Sequence, residues 1–499
     1  MAQPTPVRVR FAPSPTGRFH IGGARTALYD YLLAKQTGGQ FILRLEDTDR
    51  KRYVRSAEQE IMDSLRWLGV PWDEGPDVGG PYAPYRQSER TEIYQQHADE
   101  LVARDRAYYC FCTPQRLEQV RKLQRKQKQP PRYDGLCRRL KPDEAKSRVQ
   151  QGEKHVVRFK IPKEGTTTAV DLLRGPITVD NDSLDDYILL KSDGLPVYHL
   201  AAMVDDHLMD ITHVTRGSEW LPTFPLHVLI FEAFGWPQPV WVHLSLFLNP
   251  SGKGKLSKRH AMDPKSGIKA IYTLDLKELG YLPEAIVNWM ALMGWSYDDR
   301  TERFSMQDLI EKFSLERLNP SPAAVDFSKL DHFNGIYIRS LPQDELVERI
   351  RPFFEAAGYQ VDDERLRQIA PLIQERTRTL DEVAGMAGFF FQDKVAPDPA
   401  ELVGKKMTAM QSAEAAQRSH QVIQALPSMD PEIVEPALRN LAGDLDLTAG
   451  QLFGILRAAV TGQRVSPPLI ESMEIVGKEQ VLARIANAVK ILEAQPKGK

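Results

Sequence analysis

Between Val7 and Ala12 the chain carries β-branched and aromatic residues and then meets Pro13 and Pro15, a pattern that predicts a strand running into a loop. From Gly22 to Lys35 apolar residues recur at Ala24, Ala27, Leu28, Tyr31 and Leu32, a helical spacing that Gly38-Gly39 ends. Phe41 to Leu45 returns to strand and leads into the acid-rich Glu46-Asp47-Thr48-Asp49-Arg50. Strand, loop, helix, strand is a βαβ unit and favours a parallel sheet. Ligands of such sheets lie beyond the carboxyl ends of the strands, which is where His20 falls.

A segment from about Tyr109 to Asp193 differs in character, with mixed strand signals such as His155 to Ile161. From Val197 to about Phe247 strand and helix patterns alternate again, with Tyr198-His199-Leu200-Ala201 and Trp241 to Leu248 as predicted strands. After about Phe327 the strand signals fade. Asp344 to Ala357, Asp363 to Ile373, Ala409 to Leu426, Pro431 to Leu441 and Lys478 to Leu492 read as amphipathic helices. The predicted architecture is a doubly wound parallel α/β domain (1–108 and 197–250) interrupted by an α+β insertion (109–196). A helical linker region (251–330) and an all-α region (331–499) follow.

Composition narrows the class. With 42% hydrophobic and 26% charged residues over 499 positions, the chain can bury ordinary cores in several domains. A net charge of -2 means that nucleic acid, if bound, meets local basic patches and not a basic surface overall. The only cysteines, Cys110, Cys112 and Cys137, cannot form a closed disulfide set and suggest a reducing compartment and a candidate metal site. The start of the chain shows no signal-peptide core and no run of about 18 apolar residues occurs, so the expectation is a cytoplasmic protein with no membrane span.

Two short motifs carry the chemistry. Gly22 and Gly23 let a phosphate approach the backbone, and the helix after them offers N–H groups and a positive dipole end. His20, just before it, can donate to phosphate oxygens, although a tight strand-to-helix turn would show the same residues. Lys255-Leu256-Ser257-Lys258-Arg259 follows the flexible Pro250-Ser251-Gly252-Lys253-Gly254. Two lysines three residues apart can neutralise charge developing on a polyphosphate; alone, they would equally suit a solvated basic loop.

Taken together, Arg10-Phe11-Ala12-Pro13-Ser14-Pro15-Thr16-Gly17, His20-Ile21-Gly22-Gly23, Arg44-Leu45-Glu46-Asp47-Thr48-Asp49 and Lys255-Leu256-Ser257-Lys258-Arg259 resemble the bacterial glutamyl-tRNA synthetases, which are class I aminoacyl-tRNA synthetases. The resemblance extends through Trp72 to Pro76, Tyr85 to Arg90, Val204-Asp205-Asp206-His207 and Phe333-Asn334-Gly335, and thins out in the C-terminal helices. It implies that the all-α region binds the anticodon and that the partners are ATP with Mg²⁺, L-glutamate and tRNA(Glu). It also implies a monomer that activates glutamate only with tRNA bound. By the resemblance Arg10, Ser14, Glu46, Tyr198 and Arg216 are glutamate-pocket positions. His20, Gly22, Glu219, Trp220, Lys255, Leu256 and Lys258 are ATP-site positions, with His20, Lys255 and Lys258 carrying the catalysis. Two arginines suit a dicarboxylic substrate, and an arginine desolvated for a carboxylate is poorly satisfied by the neutral amide of glutamine. Arg10 by itself also reads as a sheet-edge arginine paired with Glu46 or Asp47.

The sequence departs from the family in places. Gly23 stands where the class-wide signature ends in His, Ala202 replaces an Asn of some relatives, and the stretch from His260 to Leu276 is long. Cys110, Cys112 and Cys137 match three ligands of a zinc site, but the fourth position holds Arg139, so structural zinc is not expected. Tyr133 and His155 are the substitutes within reach of the sequence. Six basic residues between Arg121 and Arg132, among them Lys122 and Arg125, would suit a solvated helix face; the resemblance, which turns the insertion toward the tRNA acceptor end, favours RNA contact. Arg376, or Arg378 close by, falls about where some relatives carry an arginine that screens the third anticodon base; by that resemblance the enzyme charges tRNA(Glu) and not tRNA(Gln), although a solvated helix-surface arginine would look the same. The rivals are a glutaminyl-tRNA synthetase, whose anticodon region is a β-barrel, and a non-discriminating enzyme. A small-molecule nucleotidyltransferase would leave the helical half without a purpose, and a non-catalytic RNA-binding paralogue would have no need of His20 and the lysines.

Overall fold

The computed structural model describes residues 6–256 and 267–495. The chain divides into two compact units, one running to Leu276 and taking in Ile286–Phe327, the other made of Lys277–Ala285 and the chain from Ser328. In the first unit β1 (Arg8–Phe11), α1 (Ile21–Thr37) and β2 (Gln40–Leu43) form the expected βαβ unit, with β1 parallel to β2 and Arg10 opposite Ile42. α1 stops at Gly38, whose φ of 65° is a left-handed cap that glycine adopts without steric cost. Helices α2 (Arg55–Trp67) and α3 (Thr91–Ala103) follow.

Beyond α3 the chain forms β3 (Ala107–Cys110), α4 (Pro114–Lys126), α5 (Pro142–Gln150), β4 (Val156–Phe159), β5 (Thr166–Asp171), β6 (Gly175–Asp180) and β7 (Ile188–Leu190). Only β3, β4 and β7 make a sheet of their own, antiparallel and in the order β3-β4-β7. The β5–β6 hairpin leaves them and lays Asp171 opposite Trp241 of the main sheet. The return to that sheet uses α6 (Tyr198–Leu208), β8 (His213–Gly217), α7 (Phe224–Phe234) and β9 (Val240–Leu244). The main sheet therefore has six strands in the order β2-β1-β8-β9-β5-β6, parallel except for β6. β1 is interior, so Arg10 is not at a sheet edge.

One predicted strand is a helix. Tyr198 to Ala201 opens α6, and residues 200–206 are buried on every side. A helix enclosed all round shows no 3.6-residue alternation, and its apolar run then looks like a buried strand. The core around it includes Leu200, Met203, Val204, Val214, Phe224, Phe231 and Trp241.

The second unit is helical. Its helices include Gln343–Ala356, Asp363–Gln374, Ala409–Ala425, Pro431–Asp444 and Lys478–Glu493, each within a few residues of its predicted span. Ala449–Thr461 and Leu469–Val476 are helices that the sequence pattern did not single out. Its apolar core gathers Ile350, Phe354, Ile373, Leu438, Leu456 and Ile485.

Candidate active site

The carboxyl ends of β8 and β9 meet the start of α1 at a cavity of about 430 Å³. His20, Gly22, Glu219, Lys255 and Leu256 line it, as do Arg25, Thr26 and Phe247, which the motifs did not mark. Lys255 arrives there because the chain turns back after β9: Leu256 N–H donates to the Phe247 carbonyl at 2.8 Å and Lys255 bridges to Leu248. Lys258 lies outside the described residues. Trp220 is not in the lining; its ring stacks on Tyr198, with centroids 3.9 Å apart.

The start of α1 corrects one expectation. Its first N–H groups are already paired: Ile21 N–H with the Ile271 carbonyl at 3.0 Å, Gly22 N–H with His20 Nδ1 at 3.0 Å, and Gly23 N–H with the His20 carbonyl at 2.9 Å. They are not open donors for a phosphate. Since Nδ1 of neutral His20 accepts, its proton sits on Nε2, so the side chain caps the helix and remains a donor through its other nitrogen. Gly23 has its own reason: a Cβ there would stand 2.9 Å from the Phe19 ring, so the histidine of the class-wide signature has no room.

Four of the five predicted glutamate-pocket residues share one electrostatic neighbourhood: Arg10, Glu46, Tyr198 and Arg216. Ser14 is exposed on the loop after β1, and its carbonyl accepts from Thr16 N–H at 2.8 Å. The two arginines are held differently. Arg10 is paired with Asp206 through Nε at 2.9 Å and Nη2 at 3.3 Å, and Nη1 donates to the Thr215 carbonyl at 3.2 Å. Burial works against its charge, and the Asp206 carboxylate more than offsets this, so its pKa is raised. Arg216 donates through Nε to His243 Nε2 at 3.0 Å, through Nη1 to the Tyr198 hydroxyl at 3.3 Å and through Nη2 to His227 Nδ1 at 2.9 Å. Among the described residues these partners are neutral groups, and burial leaves its pKa lowered.

Residues that the motifs left without a role make the floor of the site. Asp206 also takes Arg44 Nη1 at 2.8 Å, and Asp205 takes Arg90 Nε at 2.7 Å, Tyr94 Oη at 2.8 Å and Gln87 Nε2 at 3.0 Å. Burial pushes the Glu46 carboxyl up to about 7, against the pull of Arg44 and Arg10. The sequence signal for this floor was two adjacent acids inside an apolar helix, a pattern that is costly unless the charges are paired.

The cysteines form a second cluster in the three-stranded module. The ligand atoms of Cys110, Cys112 and Cys137 lie within 4.8 Å of one another. The Tyr133 hydroxyl stands 3.4 Å from Cys110 Sγ and 3.6 Å from Cys112 Sγ, and accepts from Cys137 N–H at 2.8 Å. Arg139 does not fill the fourth corner. It is exposed and donates to the Asp134 carbonyl at 3.4 Å, so Arg139 itself brings no charge to the thiols; the guanidinium that does is that of Arg116, whose Nη1 donates to Cys112 Sγ at 3.3 Å. Three thiols and a phenol are a donor set that a tetrahedral zinc ion accepts.

The predicted RNA contacts fall in separate places. Arg121, Lys122 and Arg125 are exposed on α4, a helix with no buried residue. Arg376 lies just after the helix Asp363–Gln374 and donates through Nη1 to the Ser466 carbonyl at 2.8 Å, which Arg457 also approaches at 3.3 Å.

Residues 6–332 match the family model for class I tRNA synthetases (E and Q), catalytic domain, and residues 345–489 match that for an anticodon binding domain. A glutamate–tRNA ligase of Dehalococcoides mccartyi is 47% identical over 98% of this chain and 99% of the relative. One of Chloroflexus aurantiacus is 45% identical over 98% of each. The crystal structure of a glutamate tRNA ligase from Elizabethkingia meningosepticum in complex with its amino acid superposes with a TM-score of 0.86 at 37% identity, covering 97% of this chain and 99% of that one. The likeness in sequence and fold thus runs from end to end, and the chain belongs to the glutamate–tRNA ligase family of class I synthetases.

Proposed function

We propose that the protein joins L-glutamate to tRNA(Glu) through a glutamyl-adenylate, using ATP as its Mg²⁺ complex. The observation that carries this reading is Arg216, a buried cation held, among the described residues, by neutral groups and followed by Gly217 in the lining of the cavity that His20 and Lys255 share. A buried charge of that kind favours an anionic ligand. The side-chain carboxylate of glutamate supplies the anion and glutamine does not. Arg10, already neutralised by Asp206, orients the substrate and adds little net charge. Tyr198, Ser14 and Glu46 complete the amino-acid pocket.

In the first step the α-carboxylate of glutamate attacks the α-phosphorus of ATP, and the bond to pyrophosphate breaks. Charge then grows on the phosphate oxygens and the leaving group. The Nε2–H of His20 and the ammonium of Lys255 are placed to meet it, with Lys258 in the same motif. Gly22, Leu256, Glu219 and Trp220 shape the nucleotide site. In the second step a terminal ribose hydroxyl attacks the glutamyl carbonyl and AMP leaves. No side-chain nucleophile is required, because positioning and charge stabilisation suffice. The exposed bases of α4 face the RNA backbone. The protein works as a cytoplasmic monomer. In support of the location, its three cysteines are unpaired, as a reducing compartment keeps them. Glutamate-dependent ATP–pyrophosphate exchange tests the reading: exchange is expected with tRNA(Glu) present and not without it. Exchange supported equally by glutamine would overturn it.

Two further outcomes are expected. Arg376 can offer directed donors to a base edge, so the wild type charges tRNA(Glu) and not tRNA(Gln), and Arg376→Gln narrows that gap. Charging of both tRNAs by the wild type would remove the discrimination, and an unchanged ratio in the variant would move it away from Arg376. For the cysteine cluster, Tyr133 in the fourth corner leads us to expect elemental analysis near one zinc per chain, falling on Cys112→Ser substitution. Metal-free protein would restore the expectation drawn from Arg139.

A further inference from the structure

Arg216 and His243 are opposite each other on the neighbouring parallel strands β8 and β9. The Asp171 carboxylate, at the end of β5, accepts Leu173 N–H and Arg174 N–H on Oδ1, and His243 N–H and ring Nδ1 on Oδ2. Three backbone N–H groups already donate to this carboxylate, which accepts from the ring as well, so His243 Nδ1 carries a proton. In a neutral ring its Nε2 is then an acceptor, and it receives Arg216 Nε–H. On the other side Arg216 Nη2–H meets His227 Nδ1, which must accept because a guanidinium cannot. The proton of His227 therefore sits on Nε2, from which it donates to His199 Nδ1 at 2.8 Å. Every tautomer in the line Asp171–His243–Arg216–His227–His199 is fixed by its neighbour. Asp171, His227 and His243 are buried, and burial keeps His227 and His243 below the ordinary histidine range. A second proton on either ring would set donor against donor at Arg216.

We propose that Asp171, His243 and His227 are positioning residues that set carboxylate specificity, holding Arg216 through neutral acceptors so that its charge is answered by the substrate. A carboxylate in place of either imidazole would satisfy the guanidinium internally, as Asp206 satisfies Arg10. Neutral rings fix its direction without cancelling its charge. The contribution of Asp171 is indirect: it selects the tautomer of His243 that can accept. This rests on the reading that Arg216 faces glutamate.

Steady-state charging of tRNA(Glu) by the full-length protein tests it, with KM read separately for glutamate and ATP. Asp171→Asn offers His243 a donor or turns its amide toward two backbone N–H groups. Either way it should raise the glutamate KM about tenfold and leave the ATP KM within about twofold. In the His243→Gln background, where the tautomer no longer exists, Asp171→Asn should add nothing. His227→Leu removes the acceptor and should raise the glutamate KM similarly, whereas His227→Asn, whose Oδ1 stands in for Nδ1, should largely restore it. If Asp171→Asn fails to fold, the His227 pair decides. Equal losses for ATP and glutamate, additive effects of Asp171→Asn and His243→Gln, or no difference between His227→Leu and His227→Asn would each overturn the proposal. Arg216→Ala separates the two claims. An unaltered glutamate KM there sinks the glutamate reading and this proposal with it. A raised KM there beside unaltered values in Asp171→Asn and His227→Leu sinks the positioning proposal alone.

Discussion

Arg216→Ala is expected to raise the glutamate KM by about thirtyfold or more, because truncating one partner of a desolvated charge pair costs roughly 2–5 kcal/mol. The ATP KM should stay within about threefold, since Arg216 is not among the residues lining the cavity with His20 and Lys255. The fold should survive. The side chain is held by Tyr198, His227 and His243, all neutral, so its removal strands no buried charge. Arg216→Lys should recover little, because one ammonium on a flexible stem cannot meet acceptors that a planar fork meets in three directions. Charging kinetics and equilibrium glutamate binding measure both variants. A collapse of ATP affinity with glutamate affinity intact would place Arg216 in the nucleotide site instead.

The sequence foretold elements whose periodicity is imposed by one buried face. The amphipathic helices of the second unit have that property, and their observed spans agree to within a few residues; α1, buried at every position from Ala27 to Ala34, was legible through its length and the Gly38-Gly39 stop instead. α6 lacks the property too, because it is enclosed on all sides, and its beginning was taken for a strand. The β5–β6 hairpin shows another limit. Its strands alternate plainly enough, yet nothing local says that they join the main sheet through Asp171 and not the three-stranded module around them.

At the site, His20, Gly22, Lys255 and Leu256 were legible because they sit in two short contiguous motifs, and the cavity brings them together. The partners of the arginines were not. Arg10 looked like an edge residue bound to Glu46 or Asp47, whereas its strand is interior and its carboxylate comes from Asp206, far along the chain. The anchors of Arg216 come from α6, α7 and β9, with Asp171 of β5 behind His243, segments with no shared motif. Pattern reading finds residues that are near in sequence. Pairings across a parallel sheet depend on strand order, which local periodicity does not encode. Arg139 is the same lesson in reverse: two residues after Cys137 it held the right place in the motif, but its side chain turns to Asp134 and Tyr133 closes the cluster.

Asp206→Asn is the second large effect expected, and it falls on stability as well as activity. The carboxylate is fully buried between Arg10 and Arg44. Asparagine keeps the shape and loses the charge, leaving two buried guanidinium groups short of a counterion, at a cost of roughly 3–5 kcal/mol. The cost should depend on pH, and the sign follows from Glu46. Burial and Asp206 both raise the Glu46 pKa, from 4.5 to about 7, so wild-type stability from this group declines as pH rises across that window. Without the Asp206 charge Glu46 ionises more readily and answers Arg44, its existing partner at 3.3 Å. The variant is thus spared part of the wild-type penalty above pH 7, and little of it near pH 5 where Glu46 is mostly protonated in both proteins. The difference in unfolding free energy, from denaturant titrations of the two proteins, should be larger near pH 5 than near pH 8. Loss of the charge also frees Arg10 from its fixed direction, so the glutamate KM should rise together with the fall in stability. A destabilisation under about 1 kcal/mol at both pH values would show that Glu46 and Asp205 already balance the two arginines, and that Asp206 is not the keystone of the floor.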